Sequence, residues 1–356
     1  VNASVSRVRR SSRLTNSLGL GDKFFSTAEE RRVADSVEKG LDAVEARLIS
    51  DMEFADDLAD VTSRYLLDAG GKRVRPTLTL LTAQLGDGTN DDVITAASAL
   101  EITHLASLYH DDVMDDANMR RGVPSAQSVW GNSVAILTGD LLFARASRLV
   151  ADLGEKAIRM QVDTFERLCL GQLHETMGPR ENDDPIEHYL QVLADKTGSL
   201  IATAARMGVV FSNAPSEYER PVEEFGEKIG VAFQLIDDVI DLSSERDTTG
   251  KTPGTDLRAG VATLPVLYLE KLAETDEEAA RLYARVRPEV AAEHASDDPE
   301  FTQAIAELRE HPVTRRTLDE AHRWADEAVA ALAVVPTGPV KKALTRFAES
   351  IIERSS

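Results

Sequence analysis

This chain has almost no cysteine. Cys169 stands alone in 356 residues, so neither an internal disulfide framework nor a CxxC pair for zinc or redox work can form. Such usage fits a reducing, cytoplasmic setting. No run of about 18 apolar residues occurs, so no transmembrane helix is expected. The first 25 residues are rich in Ser, Arg and Asn, lack the apolar core of a secretory signal, and read as a disordered tail. Positive charge is also scarce. Against 61 Asp and Glu there are 40 Lys and Arg, a net charge of -21, which argues against nucleic acid or an anionic membrane surface as a general partner. An anionic substrate would need local neutralisation. Period-2 strand alternation, repeats of 20 to 50 residues and a convincing linker are all missing. What remains is one all-α domain over residues 26–356, with an apolar fraction of 42% to build its core.

Helix signals follow one another. Thr27 with Glu30 makes a capping box opening a helix that runs to about Leu48. Gly70-Gly71 ends the next helix, and Pro76 falls in the first turn of another. Between Asp91 and Ala117, Ile102, Leu105, Tyr109 and Val113 recur at helical spacing and predict a buried helix. Further helices are predicted at roughly 132 to 151, 153 to 178, 197 to 213 and 221 to 243. The acidic, alanine-rich stretch from Glu274 to Glu300, broken by Pro288 and Pro299, reads as a peripheral helical insertion rather than a site.

Within this pattern one cluster appears twice: Asp111-Asp112-Val113-Met114-Asp115 and Asp237-Asp238-Val239-Ile240-Asp241. The first and fifth positions of each DDxxD lie about one helical turn apart on one face, placed to share a metal ion. Six carboxylates gathered without counter-charge repel one another, and divalent cations relieve that repulsion. All-oxygen sites of this kind select hard ions such as Mg2+, whose octahedron is completed by waters and substrate phosphates.

A diphosphate held by such metals calls for cations nearby. Gly71-Lys72-Arg73-Val74-Arg75-Pro76 supplies three just before a helix start, where backbone N–H groups also favour anions. Arg120-Arg121-Gly122 follows the first cluster, and guanidinium groups grip phosphate oxygens in bidentate fashion. His104 shares the helix of Asp111, and Gln234 lies three residues before Asp237; Lys196-Thr197 and Lys251 are further polar candidates. Gly250-Lys251-Thr252 imitates the end of a P-loop, but Glu245 stands where that loop needs Gly, and His174-Glu175 lacks the second histidine of a zinc-protease motif.

Taken together, GGKRVRP, HDDVMD with RRG, GQ, KTG, FQLIDDVIDL and GKTPGTDL resemble the trans-isoprenyl diphosphate synthases, or polyprenyl synthetases, over nearly the whole chain after residue 25. The resemblance implies the all-α isoprenoid synthase fold, a single large helical bundle around a central cavity. It also implies a homodimer, three Mg2+ ions and elongation of an allylic diphosphate by isopentenyl diphosphate. By position it makes Asp111, Asp115 and Asp237 the principal metal ligands, supported by Asp112, Asp238 and Asp241. Lys72, Arg75, His104 and Arg121 would hold isopentenyl diphosphate. Arg120, Lys196, Gln234 and Lys251 would face the allylic diphosphate, with Thr197 and Gln172 near the reacting centre. One departure is Val261, where the family often carries a lysine before TLP.

Product length should follow the depth of the alkyl tunnel beside the helix of the first cluster. Ala106 and Ser107 leave its floor open, and Thr103 and Ala99, deeper by one and two turns, are also small. The expected product is longer than C20, in the C30 to C50 range of respiratory quinone side chains, released to a membrane or an acceptor enzyme. Phe165, Leu168 or Met177 on other helices could instead plug the tunnel, giving a geranylgeranyl-type synthase. A class I cyclase fits less well because both DDxxD motifs are intact, and so does a non-catalytic partner subunit.

Overall fold

The computed structural model describes residues 27–243, 253–291 and 298–353. Lys251 and the tail assigned to residues 1–25 lie outside the described residues. The architecture is all-α, as expected, with helix limits within about three residues of the predicted ones. The described residues form two compact units. One comprises the chain up to Glu166 with Ser199–Glu227 and Val329–Ser350; the other comprises Arg167–Gly198, Lys228–Ala328 and the segment from Ile351.

In the first unit, α1 (Ala28–Asp51) opens on the Thr27–Glu30 capping box, with both reciprocal hydrogen bonds formed. Then come α2 (Asp57–Asp68) and α3 (Val74–Ala83). The next helix, α4 (Asp91–Met114), starts at Asn90, whose side chain accepts from the Val93 N–H at 2.9 Å. Apolar around most of its circumference, α4 is the core helix that α1, α3, α6 (Asn132–Asp152) and α9 (Ser199–Phe211) pack against. Small residues set these approaches. A Cβ on Gly139 of α6 would overlap the His110 ring and lie 3.2 Å from the Ala106 carbonyl. Thr79 and Thr82 of α3 donate to the Ala204 and Ala205 carbonyls of α9 at 2.9 and 2.8 Å, beside Gly208, which has no room for a methyl. At the deep end of α4, Ala96 and Leu100 pack with Met160, Leu200, Ala204 and Met207.

No strand was predicted, yet Met119–Arg120 (β1) and Val123–Pro124 (β2) pair antiparallel, Arg120 opposite Val123. Two residues per strand leave no alternation to read. Arg121 and Gly122 have φ of 54° and 79°, the double left-handed geometry of a two-residue hairpin turn. The short α5 (Ala126–Trp130) links this hairpin to α6.

Crossing from the first unit to the second are α7 (Glu155–Met177) and α10 (Glu219–Ser243). The second unit adds α8 (Pro185–Leu193), a π turn at Ala194–Gly198, α11 (Thr255–Arg258), α12 (Leu264–Ala273), α13 (Glu277–Val286), α14 (Pro288–Ala291), α15 (Pro299–Glu310) and most of α16 (Pro312–Ala331). The stretch from Glu274 is mostly helical where described, and it breaks where expected, with Pro288 and Pro299 each at the first position of a new helix. Its apolar side is packed, with Ala279, Leu282 and Val286 of α13 buried, and Phe301 and Ile305 of α15 are buried just beyond it. Back in the first unit, α17 (Pro339–Ile352) completes the fold and ties to α1 through Lys342 and Glu30 at 2.7 Å. No helix among the described residues is long and apolar enough to cross a membrane.

Candidate active site

Each unit carries one aspartate cluster. In the first, Asp111 and Asp112 occupy the last turn of α4, and Asp115 caps it with φ -90° and ψ 0°. The Asp115 N–H still donates to the Asp111 carbonyl at 2.8 Å, so the spacing of one turn survives at the helix end. Asp112 is fully buried. Its Oδ1 accepts from Arg120 Nε at 2.6 Å, while Oδ2, also buried, has no protein hydrogen-bond partner. Burial pushes the Asp112 carboxyl up, against the pull of Arg120.

The cations predicted from two separate motifs meet here. Arg121 turns toward the glycine loop, donating to the Leu66 carbonyl at 2.8 Å and to the Gly70 carbonyl. Gly71 has φ 148°, and a Cβ there would lie 2.5 Å from Arg73 Nη1 and 3.1 Å from the Arg121 guanidinium carbon, which together explain glycine at that position. Arg75 has its Nε buried without a protein partner, and burial pushes its guanidinium down to about 10, with Glu101 opposing and Arg121 reinforcing that shift. His104 is held neutral, well below the ordinary histidine range, by burial and by the charges of Arg75, Arg121, Arg73 and Arg120. Lys72 is exposed at the rim. The third cation of the motif behaves differently: Arg73 is buried and pairs with Glu45 and Glu101.

In the second unit α10 carries Asp237, Asp238 and Asp241, with the half-buried Gln234 one turn earlier. Asp238 is 1% exposed and accepts from the Tyr189 hydroxyl at 2.7 Å. Asp241 receives the Asp256 N–H on Oδ2 at 3.1 Å, and its carbonyl receives the Gly254 N–H at 3.0 Å. Lys196 and Thr197 lie in the π turn, an irregularity that often marks functional positions. The turn is anchored through Asp195, which pairs with Arg167 at 2.8 Å and accepts from Gln191 at 2.8 Å. Lys196 Nζ reaches Glu175 at 2.5 Å. Gly171 lets the backbone of the π turn lie close against α7, because a Cβ there would sit 2.8 Å from the Lys196 backbone nitrogen. Its neighbour Gln172 is buried with Oε1 unpartnered. Val261, 36% exposed, brings no cation to the segment before α12.

Burial pushes Asp238 up to about 8, with the charges of Asp256 and Asp237 adding to the effect against the Tyr189 hydrogen bond. A carboxyl whose folded value lies above its unfolded one stabilises the fold fully at low pH and loses that contribution as pH rises through the folded value. Chelator-treated protein should therefore lose stability between about pH 4 and pH 8 from this group, with a slope of about 1.4 kcal/mol per pH unit. Asp238→Asn should flatten that part of a Tm-versus-pH profile; a profile parallel to wild type would refute it.

Sequence reasoning missed Glu101, Tyr189, Glu175 and Asp195. A glutamate in the middle of the apolar stretch of α4 was itself a signal, since an acidic side chain is rarely buried without a partner.

Hard oxygen donors and the orphaned Asp112 Oδ2 suit a divalent cation. Among the described residues no three acidic, histidine or cysteine side chains converge into a ready-made cage. A site of one or two carboxylates completed by water and phosphate oxygens does not need one.

The polyprenyl synthetase family profile matches residues 56–298. A nonaprenyl diphosphate synthase of Mycobacterium tuberculosis is 44% identical over 94% of this chain and 96% of its own length. Among solved structures, a polyprenyl synthase of Caulobacter crescentus complexed with calcium and isoprenyl diphosphate has a TM-score of 0.82 at 30% identity, covering 93% of this chain and 100% of that one. A geranylgeranyl pyrophosphate synthase of Corynebacterium glutamicum, also complexed with calcium and isoprenyl diphosphate, has a TM-score of 0.79 at 39% identity, covering 91% and 98%. With the isoprenoid synthase fold of these structures and both aspartate motifs in place, the chain belongs to the polyprenyl synthetase family of prenyltransferases.

Proposed function

We propose that this enzyme condenses isopentenyl diphosphate with an allylic diphosphate to make a trans polyprenyl diphosphate of about C30 to C50, the kind of chain carried by quinones. The observation that carries it is the meeting of Arg75, His104 and Arg121 behind an aspartate cluster at the end of α4. These residues with Lys72 would hold isopentenyl diphosphate. A histidine kept neutral among arginines can donate a hydrogen bond to phosphate without itself carrying charge.

Asp111, Asp115 and Asp237 would be the principal ligands of three Mg2+ ions, with Asp112, Asp238 and Asp241 behind them. Bound Mg2+ would neutralise the allylic diphosphate as it leaves. Arg120, Lys196, Gln234 and Lys251 would orient that diphosphate, and Thr197 and Gln172 would lie near its C1. With Val261 in place of a lysine, weaker allylic affinity is expected, not loss of turnover. Preorganised charge lowers the barrier to C–O cleavage, and apolar walls keep water from the carbocation. The isopentenyl alkene then bonds to C1, and the proton lost goes to the released diphosphate, so no side-chain base is required.

Exposed apolar side chains on α6 (Ile136, Leu137, Leu141) and α7 (Ile158, Val162, Phe165) support a homodimer, since a second copy would cover them. A cytoplasmic location accords with the single cysteine.

The test is incubation of purified protein with Mg2+, labelled isopentenyl diphosphate and farnesyl diphosphate, followed by sizing of the dephosphorylated products. Products of C30 or longer are expected. A stop at C20 would favour a geranylgeranyl synthase, the second reading, which the similarity to the Corynebacterium enzyme supports. No product with any allylic primer would overturn both.

A further inference from the structure

The glycine loop before α3 holds more positive charge than a ligand-free pocket accommodates unaided. Arg73 and Arg121 both donate to the Gly70 carbonyl, Arg75 follows on the first turn of α3 with its Nε buried, and like charges gathered at low dielectric repel strongly. One buried carboxylate serves all three. Glu101 of α4 is 2% exposed and lies one turn before His104. It accepts from Arg73 Nη1 at 3.1 Å, and its charge also bears on Arg75 and Arg121.

Arg73 fixes that carboxylate in place. Its side chain is 0% exposed, its backbone sits in the left-handed region at φ 52° and ψ 36°, and its Nη1 also donates to the Gly70 carbonyl at 3.3 Å. Nε donates to Glu45 of α1, so one guanidinium joins α1 and α4 beneath the loop. The strained backbone of a non-glycine residue is compensated by these contacts. Arg73 thus commits Nε and Nη1 to protein partners and leaves Nη2 buried without one, whereas in Arg75 the buried atom without a protein partner is Nε.

We infer that Glu101, clamped by Arg73, is a positioning residue for diphosphate recognition: it is the shared counter-charge that keeps Arg75 and Arg121 aimed at the site before the substrate arrives. Neither Glu101 nor Arg73 touches the substrate. Glu45 supports Arg73 from the other side and carries none of this role. The inference rests on reading Lys72, Arg75, His104 and Arg121 as the isopentenyl diphosphate cations.

Glu101→Gln keeps the shape and removes the charge. In steady-state assays with Mg2+, it should raise KM for isopentenyl diphosphate about tenfold or more, with KM for farnesyl diphosphate within about twofold of wild type. Glu45→Gln should lower Tm and leave both KM values near wild type. If Glu101→Gln does not fold, the double variant Arg73→Met/Glu101→Met replaces the buried pair with apolar side chains, an exchange proteins often tolerate, and the same rise is expected. A Tm loss in the Glu101 variants with both KM values unchanged, an isopentenyl diphosphate KM that falls, or equal changes in both substrates would each overturn the inference. Wild-type protein that fails to consume isopentenyl diphosphate would instead overturn the functional reading itself.

Discussion

Asp111→Ala or Asp237→Ala is expected to lower kcat about a thousandfold or more while the metal-free protein stays folded. Removing a single preorganised group that stabilises developing charge costs about 10^2 to 10^3 in rate, and loss of a principal metal ligand removes more than one such interaction. Stability should move the other way. Asp111 and Asp115 both stand within a turn of Asp112, which pairs with Arg120, and like charges gathered in a metal-free site disfavour one another, so removing one carboxylate lessens that repulsion. The Tm of chelated protein should be unchanged or higher, and the gain in Tm on adding Mg2+ with a non-reacting diphosphate should shrink. A variant with near-normal kcat would remove that aspartate from the metal-binding set; one that unfolds would make it a structural residue.

Ser107→Phe is expected to abolish products longer than C20. Ser107 and Thr103 are buried, and their hydroxyls are satisfied on α4 itself, by the His104 and Ala99 carbonyls at 2.9 Å each. Neither presents an unpaired polar group to an alkyl chain. Ala99 and Ala106 add small apolar surface along the same helix. Further down, Leu100 meets Met160, Leu200 and Met207, and it lies eleven residues before Asp111, about 16 Å along the axis. A phenyl group one turn from the cluster would close that length. The alternative leaves a different signature. If no chain runs there, phenylalanine overpacks a filled interior at a cost of about 1 to 3 kcal/mol, Tm falls and product length stays the same. Size chromatography and a melting curve on one variant separate the two.

Much of this was readable in the chain because the signals are local. Capping residues and 3.6-residue periodicity mark helices directly, which is why α1, α4, α6 and α10 fall where expected. The paired DDxxD motifs were equally plain, since five consecutive residues on a helix carry their own geometry. What escaped depends on contacts distant in sequence or on backbone detail. Arg73 reads like Lys72 and Arg75 until the left-handed turn directs it inward to Glu45 and Glu101, each 28 residues away. The π turn around Lys196 has no pattern of its own; it follows from Asp195 anchoring to Arg167 and from the space left by Gly171. Tyr189 looked like an ordinary helix residue, and only folding brings its hydroxyl to Asp238.

The hairpin between α4 and α5 is tight enough that two consecutive arginines serve unrelated clients: Arg120 reaches a carboxylate on α4, Arg121 the carbonyls that end α2. Surface loops ordinarily absorb insertions and deletions with little harm. Here one extra or missing residue would break the pairing of Met119–Arg120 with Val123–Pro124 and send each guanidinium to the wrong address. Length variation among natural relatives should therefore stop at this turn, even where neighbouring loops drift freely.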